Sequence, residues 1–194
     1  MWTELAERGV GYMEREMLPQ WDWEGQFEDA KVSCRYSNLA HFAAGSLLRW
    51  YAEHRRDDAE AMACAGDLMR FIEDQFLVWK RPSPWTYAEY GETSLWYLPA
   101  GLEQYNWHVP IDSSTAAILL DFLAMYKATG DELYLAKAKA LGDQITRMQQ
   151  PDGMIPTHWM KDEYVTKPNM FWINCHLATA NALAELDSFL NGAK

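Results

Sequence analysis

Side chains that can transfer protons are concentrated in one short stretch of the chain, "EQYNWHVPIDSSTA". Within ten residues it contains two acids, Glu103 and Asp112, together with Tyr105, Trp107 and His108. Carboxyl and imidazole groups are common general acids and bases, and flat aromatic rings can stack on a ligand. The stretch therefore predicts a functional site immediately before a helix.

That helix is the most uniformly apolar segment of the sequence. From Ser113 to Lys127 apolar side chains occupy nearly every face, which is typical of a helix packed on all sides. The next helix, Leu133 to Met148, is apolar on one face only and is expected to lie outside the first. The same order occurs earlier, in "SNLAHFAAGSLLRWY" followed by "DDAEAMACAGDLMRFIEDQF". The chain is therefore predicted to repeat a helical hairpin.

Two further helices extend the repeat, since an outer helix is predicted from Thr3 to Met17 and a third inner helix from Asn174 onward. The sequence thus predicts one all-α domain, residues 1–194, with about six antiparallel helices. Three connections are too long for a simple helical bundle and are candidates for function: residues 19–31, 79–111 and 149–171.

The pattern resembles the (α/α) toroid of the six-hairpin glycosidases, a superfamily that includes unsaturated glucuronyl hydrolases and is close in architecture to N-acylglucosamine 2-epimerases. The resemblance is carried by "YKATGDELYLAKAKALGDQITRMQQPDGMIPTHW" and by "GQFEDAK" and "EQYNWHVPIDSSTA", which precede inner helices. A complete ring has about twice as many helices as this chain. The resemblance therefore implies a partial ring: the C-terminal half of a larger barrel, an incomplete ring, or a half completed by another subunit, as in a homo-oligomer.

In such a ring the loops that lead into the inner helices form the pocket, so the resemblance implies a glycoside hydrolase acting on oligosaccharides. Hydrolysis uses one carboxylic acid to protonate the leaving oxygen and a carboxylate to activate water or attack the sugar. Asp112 and Glu103 are the best candidate pair, and Asp29, beside Glu28, is a reserve before the first inner helix. Asp112 also has a structural alternative as the N-cap of its helix.

Substrate contacts are expected from the aromatic and histidine side chains of the same loops. Trp107 and Trp159 are the predicted stacking platforms, although many tryptophans in long loops only pack them in place. The remaining predicted contacts are Tyr105, His108, His158 and His176. For His176 the alternative is a buried core residue.

Two rival functions use the same residues differently. A polysaccharide lyase or sugar epimerase would transfer protons through Tyr105 and the histidines instead of an acid pair. A protein without catalytic activity would use the helices only to bind a sugar or a partner protein.

Charge and motifs argue against other classes. The formal net charge is -11 and the basic residues are scattered, so no nucleic-acid partner is expected. No apolar run approaches the roughly 18 residues of a membrane span, and the first residues do not resemble an export signal. Without metal-binding or nucleotide-binding motifs, neither a metal nor a cofactor is predicted. The widely spaced Cys34, Cys64 and Cys175 are expected to be thiols, which favours the cytoplasm.

Overall fold

The computed structural model describes residues 2–21, 40–80, 96–104, 108–160 and 171–192. At residues 103, 104, 108 and 109 it describes the backbone but not the side chains. Most of the described residues belong to six α-helices. The helices are α1 (Trp2–Tyr12, continued by a π-helical turn, Met13–Met17), α2 (Ala40–His54), α3 (Ala59–Phe76), α4 (Asp112–Thr129), α5 (Glu132–Met148) and α6 (Ile173–Gly192). Their order and positions confirm the predicted all-α class.

The helices form two layers around α4. This helix packs against α2 on one side, α6 on the other and α5 outside, whereas α3 packs mainly against α2. Twelve of its 18 residues are buried, which confirms the expectation that it is enclosed. By contrast, α5 buries one face, formed by Ala138, Leu141 and Ile145 among others. The buried and amphipathic patterns in the sequence therefore correspond to the enclosed position of α4 and the outer position of α5.

Three short strands, which the sequence analysis did not predict, lie beside the inner layer. They are β1 (Leu77–Val78), β2 (Ala100–Gln104) and β3 (His108–Pro110), paired antiparallel in the order β1-β2-β3. Strands this short contain too few residues to show a periodic pattern. They matter for the site because β3 ends only one residue before α4 begins.

The ends of the helices are fixed by local polar contacts. Asp58 and Asp131 are the N-caps of α3 and α5, where their carboxylates accept backbone hydrogen bonds from the first turn. Glu14, in the π-helical turn, accepts hydrogen bonds from the Tyr51 hydroxyl at 3.0 Å and from Arg55 at 2.6 Å, which ties that turn to α2. None of the helices within the described ranges is both long and apolar enough to cross a membrane.

Candidate functional site

The first turn of α4 is held in place by strand β2. The Gly101 N–H donates to Thr115 Oγ1 at 2.8 Å, and the Gly101 carbonyl accepts from the Ile111 N–H at 3.0 Å. A Cβ at position 101 would lie only 2.6 Å from the carbonyl carbon of Ser114, so a glycine is needed for the strand to approach this closely. The β2–β3 hairpin thereby fixes where α4 begins.

Asp112 is the first residue of α4, and Ile111 occupies the N-cap position, where Asp112 itself had been one expected candidate. Asp112 Oδ1 accepts a hydrogen bond from the Ser113 N–H at 2.7 Å, and Asp112 is fully buried. A carboxylate is favourable at this end because the first N–H groups of a helix carry partial positive charge. Asp112 therefore has a structural role at the helix start, whatever chemistry it also performs.

A single threonine joins the starts of two inner helices. The Thr157 carbonyl accepts the Asp112 N–H at 3.0 Å, and Thr157 Oγ1 accepts the Trp172 N–H at 2.9 Å, just before α6 begins. Thr157 is fully buried, so both hydrogen bonds are protected from water. Thr157 was not predicted from the sequence, in which its only signal is its position in the "PTHW" turn between two helices.

Two histidines lie next to this junction. His158 forms an isolated β-bridge with Ile111, and its ring is 5.3 Å from the Trp172 ring. His176, in the first turn of α6, donates its backbone N–H to the Trp172 carbonyl, and its ring is 5.0 Å from that of Phe171. We refer to Asp112, Thr157, His158, Trp172 and His176 as the helix-start cluster.

The histidine rings retain capacity for hydrogen bonding. Neither His158 Nδ1 nor His176 Nδ1 has a hydrogen-bond partner among the described residues. Burial lowers the pKa of His158 below its usual value, so its ring is neutral near pH 7 and can accept a proton. The cluster can therefore hydrogen-bond a polar ligand, and His158 is in the form that a general base requires.

Glu103 and His108, which were predicted from the same stretch, lie on the hairpin that leads into the cluster. In the β2–β3 register Glu103 pairs with Val109, and His108 pairs with Gln104. Val109 precedes Asp112 by three residues, which corresponds to about 10 Å of extended strand. The backbone thus places Glu103 near the cluster, whereas the side chains of Glu103 and His108 lie outside the described part of the structure.

Trp159 occupies a packing position. Its ring is fully buried, and its Nε1–H donates to the Pro156 carbonyl at 2.9 Å. Its backbone N–H donates to the Pro110 carbonyl at 3.1 Å, so the residue fastens its own segment to the start of α4. Trp159 is therefore not exposed as a stacking platform would be, and the half-buried Trp172 is the aromatic residue at the cluster.

Three predicted site residues, Asp29, Tyr105 and Trp107, lie outside the described residues. The described side chains also form no metal site: within the described ranges, no three or more histidine, cysteine or acidic side chains lie together in a way that could hold a metal ion.

No protein-family model, curated protein or solved structure matches this chain.

Proposed function

We propose that the protein is carbohydrate-active and that an oligosaccharide binds at the helix-start cluster. The observation that carries this proposal is the Thr157 junction, whose hydrogen bonds connect the three segments of the chain that carry Asp112, His158 and His176. The half-buried indole of Trp172 lies beside the His158 imidazole, and His176 follows one helical turn later. The cluster therefore offers a ring face and hydrogen-bonding groups, the combination that sugar sites use.

The proposed reaction is hydrolysis of a glycosidic bond by Asp112 and Glu103. One carboxylic acid protonates the leaving oxygen, and the other carboxylate activates water or attacks the sugar. Catalytic carboxyl groups of glycosidases are about 5 to 10 Å apart. Glu103 pairs across the strands with Val109, which precedes Asp112 by about 10 Å of extended strand, and this backbone proximity supports the pair. Because Asp112 is fully buried, sugar binding must displace the groups that cover it.

The test is hydrolysis of a panel of oligosaccharides by the wild type and by Asp112→Asn and Glu103→Gln. Asp131→Asn is the matched control, since Asp131 also lies at a helix start, where its carboxylate accepts the Leu133 N–H. Asparagine has nearly the shape of aspartate and keeps one oxygen that can accept the same backbone N–H, so both aspartate variants should fold. We expect at least a 100-fold loss of kcat for Asp112→Asn and none for Asp131→Asn, because general acid catalysis contributes factors of about 100 to 10,000. Equal activities would reduce Asp112 to a structural role.

A second candidate reaction is favoured by the histidines. A lyase or epimerase removes a proton from a carbon atom of the sugar, and the neutral ring of His158 is suited to accept it. In that case His158→Ala or His176→Ala should abolish turnover while Asp112→Asn retains it. If the wild type and the variants bind sugar but none of them turns it over, the result would support the third alternative, a binding module.

We also propose that the inner layer of α2, α4 and α6 is part of an (α/α) toroid. The packing of α4 between α2 and α6 supports this, as does the exposed apolar face of α6, which a neighbouring helix would bury. A longer chain or a second subunit would supply the remaining helices. A crystal structure that shows α6 packed against added helices would support the ring, whereas an isolated monomer with α6 exposed would oppose it.

A further inference from the structure

A second buried polar group lies between α2 and α4, away from the helix-start cluster. Asp121, on α4, is fully buried and its Oδ1 accepts a hydrogen bond from Arg49 of α2, whose side chain is 33% exposed. Asp121 follows Asp112 by nine residues, or about 13 Å along the helix. The proposed reaction therefore does not use this ion pair.

The Asp121 carboxylate lies directly on the backbone of α2. A Cβ at Gly45 would be 2.5 Å from Asp121 Oδ2 and 2.7 Å from Oδ1, so the carboxylate occupies the space where any other residue would have its side chain. His41 is one helical turn before Gly45 on the same face of α2. Its ring is fully buried, 4.3 Å from the Phe42 ring and 4.8 Å from the Phe76 ring.

Three atoms of this region lack a hydrogen-bond partner among the described residues: Asp121 Oδ2 and both ring nitrogens of His41. Buried polar atoms in folded proteins are almost always hydrogen-bonded, either to protein or to ordered water. Burial, assisted by the charge of Arg49, lowers the pKa of His41 to about 3. Its ring is therefore neutral, with one N–H to donate and one nitrogen to accept.

The spacing of these atoms suits a bridging ligand. Side chains four residues apart on a helix have Cβ atoms about 5 to 6 Å apart. A Cβ at Gly45 would lie 2.5 Å from Asp121 Oδ2, so the carboxylate lies beside the Cβ position that is one helical turn from His41 on the same face of α2. Asp121 Oδ2 accepts no direct hydrogen bond from the His41 ring, so one small molecule that both donates and accepts would connect them.

We propose that an ordered water molecule binds between His41 and Asp121 and bridges α2 to α4. The His41 ring donates to the water oxygen, and the water donates to Asp121 Oδ2. The charge of the site selects a neutral ligand, since Arg49 already balances Asp121 and repels a second cation, while Asp121 repels an anion. His41 and Asp121 are both fully buried, so a molecule bound between them is kept from bulk solvent.

The direct test is a crystal structure of the wild-type chain at a resolution that shows ordered water. We expect a peak within about 3 Å of both Asp121 Oδ2 and a His41 ring nitrogen. An empty site, or a His41 ring that bonds Asp121 directly, would overturn the proposal.

A solution test uses wild-type protein labelled with ¹⁵N in its histidines. The His41 ring should give one protonated and one unprotonated nitrogen signal throughout pH 5 to 8, with a nuclear Overhauser cross-peak between its N–H proton and long-lived water. His41→Phe supplies the assignment, because the signals that it removes belong to this ring. A His41 N–H without a water cross-peak, or one with a cross-peak to protein protons alone, would contradict the bridge.

Discussion

Helices α4 and α6 are similar in sequence and different in environment. Both are rich in apolar residues on all faces, and both were predicted to be inner helices. In the structure α4 is enclosed, whereas α6 buries a single face formed by Cys175, Thr179, Ala182 and Leu186. Ile173 and Leu177, on the opposite face of α6, are 60% and 54% exposed.

The difference comes from the neighbours of each helix. α4 has an inner helix on both sides and α5 behind it, while the described neighbours of α6 are α4 and α5. An apolar sequence therefore indicates that a helix can be buried on all sides. The helix is actually buried only where neighbouring elements pack against it. Exposed apolar patches of this kind commonly mark interaction surfaces.

The largest expected difference between the two helices is in the cost of removing a leucine side chain. Leu119 of α4 is fully buried, so Leu119→Ala should lower the free energy of unfolding by about 2 to 5 kcal/mol. Leu177→Ala, on the exposed face of α6, should change it by less than about 0.5 kcal/mol. Urea unfolding followed by circular dichroism would measure both. Similar losses in the two variants would mean that the face of Leu177 is covered in solution.

Glycine-to-alanine substitutions should have opposite effects on the unfolding free energy at an enclosed and at an open helix surface. Gly45→Ala would drive a methyl group into the Asp121 carboxylate, and we expect a loss of about 1 to 3 kcal/mol in unfolding free energy. Gly66→Ala in α3 is the matched control, because its nearest atom, Arg70 Nη1, would be 3.9 Å away. Alanine should stabilise that helix by about 0.5 to 1 kcal/mol. Stabilisation by Gly45→Ala would show that α2 and α4 are not closely packed there.

The buried titratable groups between α2 and α4 should give this interface opposing pH responses. Burial raises the pKa of Asp121 from 3.8 to about 6 despite the charge of Arg49, so its stabilising contribution is present in acid and is lost as the pH rises through 6. Burial lowers the pKa of His41 from 6.5 to about 3, so its contribution is present above pH 6.5 and is lost as the pH falls. Between pH 4 and 6 the Asp121 contribution to the unfolding free energy falls as the pH rises, whereas the His41 contribution increases.

Replacing either residue should therefore show how the remaining titratable group changes the unfolding free energy with pH. In Asp121→Asn the unfolding free energy should rise from pH 4 to pH 6 more steeply than in the wild type, by up to about 1.4 kcal/mol per pH unit. In His41→Phe it should fall over the same interval. Urea titrations at pH 4, 5 and 6 would measure these slopes, and three parallel curves would show that neither group is buried in its neutral form.

The sequence predicted those features that depend on local periodicity. The helices from α2 to α6 were located to within a few residues, because each is a long segment with apolar residues at helical spacing. Asp112 was selected as a candidate because it precedes the most apolar helix, and its catalytic role stays a prediction. The hydrogen bonds of Thr157, the burial of Trp159 and the carboxylate of Asp121 on Gly45 were not predicted. Each depends on a contact between segments far apart in the chain, and no spacing within one segment encodes it.

The smallest effect on folding, and the most informative for the ring, is expected from lysines on the exposed faces. Ile173→Lys and Leu177→Lys should change the unfolding free energy by less than about 0.5 kcal/mol. They should nevertheless reduce self-association in sedimentation velocity runs at increasing protein concentration, since they place charge within the apolar stripe of α6.

Leu133→Lys, on the outer helix α5, is the matched control because Leu133 is 57% exposed but belongs to an amphipathic helix. If only the α6 variants reduce association, that stripe is the surface through which the helices meet a partner. If all three variants reduce it equally, general surface hydrophobicity causes the association. In that case the uncovered face of α6 gives no support to a ring.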